Sequence, residues 1–479
     1  MSADYIPTTG SLNTRPIPTW FDDAKFGIFI HWGLYSVPAF APLGGPANPM
    51  APDMMRSNRY AEWYENTLKF DDSETAAFHR AHYGEAPYSA FATAFEGAAA
   101  TLPADDWTAA FRDSGARYVT LVTKHHDGYL LWPSRHPNPH RARWQSGTDI
   151  VGQVASAVRA AGLRFGTYYS GGLDWTFNPD RVANIPAMFT SMPHDDGYDR
   201  YCRDHYLELI ERYRPDYLWN DIGYPTEGSM LEVCAAHYNA NPDGLVNDRW
   251  LSARDLLAGS EADRSARLKA MFGYLKQHRV PPPSHYDVIT PEYAPSATVF
   301  EKKWEATRGI GSSFGFNHQE VDADLMSADA ILRQLVDCVA HGGNLLLNVG
   351  PRGDGTLCPM QVARLRAIGA WLRANGDAIH GTRPWVVTAA LAKDGRDVSP
   401  LAAPPFMPWS SMAGPGRFPS RVKFPNWIRS GNLRQARLPR VPRSTPSAAA
   451  AMADPADARI ALPRRSIRKL IPSYRQICL

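Results

Sequence analysis

The chain has 479 residues, of which 44% are hydrophobic and 11% aromatic, and its formal net charge is +3. This composition indicates a soluble globular protein with a large core. No run approaches the roughly eighteen apolar residues of a membrane span, and the five cysteines form no CxxC pair typical of zinc or redox sites. The opening residues lack the basic and apolar regions of a secretory signal, so we expect a cytoplasmic protein with no membrane partner.

Six segments share one pattern, in which an apolar strand is followed by a polar or aromatic cluster and then by Gly or Pro. In chain order they are KFGIFIHWG (25–33), RYVTLVTKHHDG (117–128), LRFGTYYSGGLDW (163–175), DYLWNDIG (216–223), GLVNDRW (244–250) and NLLLNVGP (344–351). Amphipathic patterns between and after them predict helices over 104–115, 149–162, 198–215, 327–342 and 358–376. Alternation of buried strands with such helices predicts a parallel sheet with helical crossovers.

Two fold classes have this alternation, the open doubly wound sheet and the closed barrel. The first strand is not followed by the GxGxxG of a nucleotide-binding doubly wound domain. Polar clusters follow most of the strands, as in a barrel whose active site collects the carboxyl ends of all its strands. We therefore predict an α/β fold, a (β/α)8-like catalytic barrel over residues 16–385, with residues 1–15 as an N-terminal arm.

The C-terminal segment, residues 386–479, differs in composition from the rest. Lys and Arg greatly outnumber Asp there, Glu is absent, and Pro, Ala and Ser are abundant, whereas the preceding residues are net acidic. No helix or strand periodicity persists, so we expect a disordered or poorly packed tail, with a basic nucleic-acid arm as the minor alternative. The acidic body gives no reason to expect a nucleic-acid partner. The abrupt change suggests that the natural reading frame was lost near here.

The run YLWNDIGYP (217–225) ends a buried strand with a carboxylate. By strand alternation Asp221 lies on the same side as Trp219, with Asn220 opposite. A carboxylate at the end of a core strand needs a partner or a function. Beside a Trp in a barrel, it is typical of enzymes that cleave glycosidic bonds. The alternative is that Asp221 caps the following turn or helix.

A glycosidase needs a second carboxyl group, and the later half of the barrel offers several candidates. Glu292 in VITPEYAP is predicted on a loop, where a protonated acid can reach a leaving group. Glu301, Glu305 and Glu320 are the others, and Arg308 is a natural partner for Glu305. Spacing alone leaves the choice open.

Histidines at the strand ends allow two interpretations. His125 and His126 in TKHHDG suggest a metal site, with Asp127 or His31 as further ligands, but no HExxH or comparable pair supports it. Neutral imidazoles that exchange hydrogen bonds with sugar hydroxyls fit better. Any one of them can also be a structural histidine.

Eight blocks together resemble the alpha-L-fucosidases of glycoside hydrolase family 29. They are WFDDAKFGIFIHWGLYSVPAF, YAEWYENTL, TKHHDGYLLW, FGTYYSGGLDW, LWNDIGYP, VNDRW, WEATRGIGSSFGFN and GGNLLLNVGPRGDGT, and they follow the family order between about residues 16 and 385. The resemblance implies a retaining exo-glycosidase that removes terminal alpha-L-fucose from oligosaccharides or glycoconjugates through a covalent intermediate. It implies no metal and no organic cofactor, and it is compatible with a homo-oligomer.

The resemblance also assigns residues. Asp221 matches the family nucleophile and Glu292 the general acid/base of bacterial members. Further matches bind the fucose hydroxyls or shape the pocket, and these are His31, Glu62, Trp63, His125, His126, Tyr168, Trp219 and Arg249. Phe314 matches an aromatic residue that packs near the methyl group of the sugar.

The chain departs from the family in two places. Residues 251–289 form a longer connection than expected, which we interpret as a loop on the leaving-group side, and nothing beyond Val386 resembles the usual beta-sandwich. Two alternatives to a fucosidase therefore stay open. One is a metal-dependent barrel hydrolase using His31, His125, His126 and Asp221, and the other is a fucose-binding protein without turnover.

Overall fold

Seven parallel strands form the centre of the structure, a computed structural model that describes residues 4–45, 51–278, 285–293, 300, 302–384, 390–391 and 397–398. The strands are β1 (Phe26–Ile30), β2 (Tyr118–Lys124), β3 (Arg164–Ser170), β4 (Tyr217–Asp221), β5 (Leu245–Val246), β6 (Trp304–Gly309) and β7 (Gly343–Val349). They pair in the order β5-β4-β3-β2-β1-β7-β6. The six predicted strand segments are therefore confirmed.

The segment 288–292 connects the two edge strands of this sheet. It bridges Asn247, the residue after β5, and bridges Trp304 and Thr307 of β6, all in parallel register. Backbone amides also link it to β6, since Thr307 donates to the Pro291 carbonyl at 3.0 Å. An irregular eighth segment thus completes the ring, and the predicted (β/α)8-like barrel is confirmed.

Helices follow the strands and cover the sheet. Those described are α1 (Thr9–Leu12), α2 (Thr19–Ala24), α3 (Tyr64–Leu68), α4 (Glu74–Tyr83), α5 (Phe91–Ala99), α6 (Ala104–Asp113), α7 (Ile150–Ala160), α8 (Ile185–Thr190), α9 (Asp196–Tyr213), α10 (Glu227–Ala240), α11 (Ala253–Leu257), α12 (Glu261–His278), α13 (Ala328–Ala340) and α14 (Pro359–Asn375). The five predicted helices correspond to α6, α7, α9, α13 and α14, and all five are confirmed. None of the described helices is long and apolar enough to cross a membrane.

Local sequence explains where these helices begin and which face they bury. The Asp149 side chain accepts a hydrogen bond from the Gly152 amide and caps α7, while Ser327 caps α13 in the same way. Helix α7 buries Val154 and Val158 at the spacing of a single apolar stripe. Capping and periodicity therefore agree, which is why these helices were predictable.

Strand β6 was not predicted, because two charged residues interrupt its apolar pattern. Glu305 lies inside the barrel, where the Tyr118 hydroxyl and, at 3.4 Å, the Tyr217 hydroxyl donate to its carboxyl group. Arg308 instead donates to the Gln334 side chain at 3.0 Å. The predicted pairing of Glu305 with Arg308 is therefore wrong, since the two side chains have separate partners.

The connection 251–289 is largely helical, so its interpretation as a loop is wrong for the part that the structure describes. It contains α11 and α12. Met271 of α12 is buried in a cluster with Met188 and Phe189 of α8, and the Phe189 and Phe272 ring centres lie 5.5 Å apart. Apolar contacts of this kind fix the connection against the segment that follows β3.

The contacts divide the chain into two units. The larger consists chiefly of residues 1–390 and contains the barrel, and the smaller is drawn from the tail. Beyond residue 384 the structure describes only Ala390–Leu391 and Asp397–Val398, both as short strands. The prediction of a poorly packed tail over 386–479 otherwise lies outside the described residues, and the predicted domain boundaries stay predictions.

The contact between α14 and α6 gives a test of the packing. Gly369 of α14 is buried, and a Cβ there would lie far inside van der Waals contact with the Asp113 carbonyl oxygen. We expect Gly369→Ala to lower the free energy of unfolding by about 1–3 kcal/mol, the usual effect of overpacking. Gly273, exposed in α12 with open space around it, is the matched control. Gly273→Ala should raise stability by about 0.5–1 kcal/mol. Denaturant unfolding measures the change in free energy for both variants. Equal changes in the two variants would contradict the close packing of α14 against α6.

Candidate active site

The carboxylate of Asp221 lies at the end of β4 and is held by three donors. The Tyr168 hydroxyl donates to Oδ2 at 2.7 Å, while Arg249 Nη1 and the Ile222 amide donate to Oδ1 at 2.9 and 3.0 Å. The residue is only 9% exposed. Helix α10, the next along the chain, is capped by Thr226. Asp221 is therefore not a helix cap, and its oxygens are oriented by side chains from two other strand ends and by the backbone amide of the next residue.

Arg249 contacts both of the predicted catalytic carboxylates through one nitrogen atom. Its Nη1 lies 2.9 Å from Asp221 Oδ1 and 2.7 Å from Glu292 Oε1. The two oxygens are therefore separated by no more than the sum of these distances. Nη2 donates to the Thr290 carbonyl at 2.9 Å, and the guanidinium lies 4.5 Å from the Trp219 ring centre. Thr290 belongs to the closing segment 288–292 and Trp219 to β4, so contacts with both elements fix the arginine where the barrel closes.

Glu292 has an environment suited to an acid. Burial raises its pKa, and the negative charge of Asp221 adds to the rise, while the positive charge of Arg249 opposes it. The carboxyl side chain is still 28% exposed. Glu292 therefore retains its proton to higher pH than an ordinary glutamate and stays accessible from the mouth of the barrel.

The backbone is unusual after each of the two carboxylates. Ile222 has φ +67° and Tyr293 has φ +47°, both in the left-handed region. That conformation is rare for residues other than glycine and especially for a β-branched residue such as Ile222. Strained backbone of this kind concentrates at functional sites, where the surrounding structure enforces it.

His31 lies at the end of β1 as a neutral imidazole. Its Nδ1 is 2.6 Å from Asn348 Oδ1, and the Asn348 amide nitrogen donates to the Phe314 carbonyl. Because the amide oxygen faces His31, Nδ1 carries the proton and Nε2 is left as an acceptor. Burial lowers the pKa of His31 to about 3. The ring lies 5.0 Å from that of Phe314, so the two form one wall.

His126 is likewise fixed as a neutral imidazole, here by a serine side chain. Ser170 Oγ donates to the Leu173 carbonyl at 2.6 Å and accepts from His126 Nδ1 at 2.6 Å. Burial lowers the pKa of His126 to about 4. Its Nε2, 3.9 Å from Asp221 Oδ2, is therefore a lone-pair acceptor rather than half of an ion pair. Trp63 packs on this imidazole at 4.9 Å.

His125 lies between the other two histidines. Strand β2 ends at Lys124, and the His125 and His126 rings are then 4.0 Å apart, so the chain has already turned at this point. His125 stacks on Tyr168 with an interplanar angle of 11°. Burial lowers its pKa well below the usual value. Within the described residues, no group of three or more His, Cys, Asp or Glu side chains is arranged to hold a metal ion.

Glu62 reaches the pocket from the segment that follows β1. Its Oε2 accepts hydrogen bonds from the Gly315 amide at 2.8 Å and from Ser313 Oγ at 3.2 Å. Burial raises its pKa to about 7, against the effect of these donors. Glu62 therefore holds the two neighbours of Phe314 and fixes that ring in the wall.

The other carboxyl candidates lie elsewhere. Glu305 is in the barrel interior, Glu320 accepts from the Ser313 amide at 3.4 Å, and Glu301 lies outside the described residues. The structure brings Asp221 and Glu292 together with all nine residues that the resemblance assigned to the pocket. Sequence reasoning missed Ser170, Asn348 and Thr290. Two of them, Ser170 and Asn348, lie at strand ends, so their position in the repeated pattern was the available signal.

Two carboxylates joined by one arginine, at the carboxyl ends of barrel strands and among aromatic rings and neutral histidines, define a glycoside hydrolase. A family model described as Alpha-L-fucosidase matches residues 1–377. The chain belongs to the alpha-L-fucosidase family, glycoside hydrolase family 29, and is an enzyme of that class.

Individual relatives agree with this assignment. An alpha-L-fucosidase of Dictyostelium discoideum is 34% identical over 399 residues, covering 81% of this chain and 76% of the relative. An alpha-L-fucosynthase structure from Thermotoga maritima is 40% identical with a TM-score of 0.71, covering 84% of each chain. The alpha-fucosidase of the same organism, in complex with a mechanism-based inhibitor, is 39% identical with a TM-score of 0.71 and covers 83% and 84%.

The buried carboxyl beneath the pocket, Glu305, makes stability depend on pH. Burial raises the pKa of Glu305 from 4.5 to about 7. Between these values the folded state binds a proton that the unfolded state has lost, so the free energy of unfolding falls as pH rises. We expect Glu305→Gln to lose less of its Tm between pH 5 and 8 than the parent chain. Glu85→Gln, at an exposed glutamate, should behave as the parent. An unchanged pH dependence in Glu305→Gln would refute a neutral Glu305.

Proposed function

We propose that this chain is a retaining exo-glycosidase that removes terminal alpha-L-fucosyl residues from oligosaccharides or glycoconjugates through a covalent fucosyl-Asp221 intermediate. The observation that carries the proposal is the shared contact of Asp221 and Glu292 with Arg249 Nη1. Retaining enzymes hold their two carboxyl groups about 5–5.5 Å apart, whereas inverting enzymes need roughly 6.5–9.5 Å to admit a water molecule. The sum of the two observed contacts favours the shorter spacing.

In the first step Asp221 acts as nucleophile. One carboxylate oxygen attacks the anomeric carbon while the bond from that carbon to the aglycone oxygen breaks. Glu292 donates its proton to the departing oxygen, and burial, which raises its pKa, favours the protonated form that this step needs. The products are a free alcohol, a fucosyl ester on Asp221 and an ionised Glu292.

In the second step Glu292 acts as base. Its carboxylate takes a proton from water as the water oxygen attacks the anomeric carbon and the ester bond to Asp221 breaks. This returns Glu292 to its protonated form and Asp221 to its ionised form. Two inversions at one carbon leave the released fucose with the configuration of the substrate.

The walls of the pocket supply the binding. His31 and His126 each present an unprotonated Nε2, which accepts a hydrogen bond from a fucose hydroxyl. Phe314 offers an apolar surface for the methyl group of the sugar, and Trp219 stacks on Tyr168 with the ring centres 5.5 Å apart. Thermotoga maritima alpha-fucosidase has been solved in complex with fucose and with a mechanism-based inhibitor. Both complexes support a fucose site in the corresponding barrel here.

Chemical rescue tests both carboxylate roles. We expect Asp221→Ala and Glu292→Ala to lower kcat on an aryl alpha-L-fucoside by about 10²–10⁴-fold or more. Added azide should restore turnover in each variant, because it replaces the missing group. The azide adduct should have inverted configuration for Asp221→Ala, since azide attacks the substrate directly, and retained configuration for Glu292→Ala, since azide attacks the intermediate. Nuclear magnetic resonance of the products distinguishes the two.

Asp377, an exposed carboxylate outside the pocket, is the control. Asp377→Ala should hydrolyse the fucoside at the parental rate. Identical configuration of the azide product in both catalytic variants would overturn the assignment of roles. Fucose binding without hydrolysis by the parent chain would favour a binding protein, and loss of activity with a chelator would favour a metal-dependent hydrolase.

A second test concerns Arg249, whose positive charge holds down the pKa of Glu292. We expect Arg249→Met to lower kcat/KM by about 10²–10³-fold. It should also move the basic limb of the kcat/KM profile to higher pH, because the loss of the cation raises the pKa of Glu292 further. Arg249→Lys retains the charge, so its basic limb should stay near that of the parent. A downward shift in Arg249→Met would contradict the charge balance.

A further inference from the structure

A second arginine lies beside Glu292, and the proposed reaction does not use it. The Arg59 guanidinium is 5.4 Å from the Tyr60 ring centre and 5.5 Å from that of Tyr293, the residue after Glu292. Both tyrosine rings contact Phe314, at 5.9 and 5.6 Å. Arg59 is therefore adjacent to the wall of the sugar pocket on the side where the acid lies.

Arg59 has no direct ion-pair partner among the described residues. Within the ranges that the structure describes, no Asp or Glu oxygen lies within ion-pair distance of its guanidinium, although the side chain is half-buried. Arg56, three residues earlier, is paired with Asp53 at 3.2 Å and with Asp72 at 2.7 Å. The guanidinium shares a hydrogen bond with Tyr60, but a guanidinium has five N–H groups, so others are left for a ligand. A half-buried cation that makes no direct ion pair with a described residue is a candidate for anion recognition.

The position of Arg59 indicates which part of the substrate it meets. Under the proposed function, on which this inference rests, Glu292 must face the oxygen that leaves with the aglycone. The Arg59 guanidinium lies 5.5 Å from the ring centre of Tyr293, the residue that directly follows Glu292, and its positive charge lowers the pKa of Glu292. Arg59 therefore faces the leaving group rather than the fucosyl ring, which lies on the side of Asp221 and the histidines.

We propose that Arg59 forms part of the leaving-group subsite and gives the enzyme a preference for fucosides whose aglycone carries an anionic oxygen group, a carboxylate or a sulfate. A planar guanidinium binds such groups through two parallel N–H···O bonds. Charge-assisted hydrogen bonds of this kind are about twice as strong as those to neutral hydroxyls. The neighbouring tyrosine rings provide a surface for an apolar sugar face.

Matched pairs of synthetic substrates test this preference. One pair is 4-carboxyphenyl and 4-carbamoylphenyl alpha-L-fucoside, and the other is 4-sulfophenyl and 4-sulfamoylphenyl alpha-L-fucoside. The measured quantity is the ratio of kcat/KM for the anionic member to that for the neutral member. Because each ratio is compared between variants, differences in leaving-group reactivity cancel. The pair with the larger Arg59-dependent ratio identifies the favoured anion.

We expect Arg59→Gln to lower the anionic-to-neutral ratio by about 5- to 10-fold for at least one pair, in line with a partly exposed charge-assisted contact. Added salt should lower the same ratio in the parent enzyme, since ions screen an exposed charge pair. Arg59→Lys should lie between the parent and Arg59→Gln, because it retains the charge but not the planar fork. Arg56→Gln, which removes an already paired arginine, should leave the ratio unchanged.

The outcomes are separable. If the parent hydrolyses the neutral fucosides but its ratios respond neither to salt nor to Arg59→Gln, the anionic subsite is refuted while the fucosidase function stands. If the parent hydrolyses none of the four substrates, the proposed function itself fails. Should Arg59→Gln not fold, the salt dependence of the parent decides, and ratios that are insensitive to salt refute the proposal.

Discussion

The site depends on one electrostatic constraint, the contact of two carboxyl groups with a single guanidinium. A retaining mechanism needs its two carboxyl groups about 5–5.5 Å apart, and two unit charges about 5.5 Å apart would repel by roughly 3 kcal/mol at an effective dielectric constant of 20. Arg249 Nη1 lies between Asp221 Oδ1 and Glu292 Oε1 and offsets this repulsion. Its own position is set by Thr290 and Trp219. The geometry of the carboxylates therefore depends on the place where the barrel closes.

The closure is irregular, and the irregularity positions the acid. Segment 288–292 pairs with β5 and β6 only through isolated bridges, and Pro291 in its middle has no N–H to extend the ladder. Its carbonyl is still used, by the Thr307 amide. A regular strand would continue past this point, whereas here Tyr293 turns the chain with a positive φ. Glu292 is thereby held at the edge of the pocket, opposite the end of β4.

Sequence periodicity predicted the parts of the fold whose burial follows one face. Helix α7 and strand β4 were predictable because apolar spacing, caps and terminators agree in them. Strand β6 was not, because Glu305 inside the barrel is hydrogen-bonded by tyrosine hydroxyls that come from distant strands. The break in its apolar pattern is explained by contacts with other strands, which the sequence of β6 alone does not reveal.

The same distinction applies to the site. Asp221 was identifiable from the residues alone, since a carboxylate at the end of an apolar strand is an anomaly within a single segment. Glu292 was not, because its segment has no strand pattern and the choice among four glutamates depends on how the ring closes. The resemblance to the family supplied that residue. It did not supply the double contact of Arg249, or the position of Arg59 beside Tyr293 with no direct ion pair to a described residue, because both depend on side chains far apart in sequence.

The three histidines of the site are uncharged, so they add no positive charge around the sugar. Burial lowers the pKa of His31 to about 3 and that of His126 to about 4, and it lowers the pKa of His125 well below its usual value. Cleavage of a glycosidic bond develops positive charge at the anomeric carbon, and imidazolium groups around the sugar would oppose it. Neutral imidazoles bind hydroxyls without that penalty, so burial of the histidines serves the chemistry directly. Arg249, the cation that the site does contain, contacts Asp221 and Glu292 directly, so the negative charge of the nucleophile offsets its positive charge near the sugar.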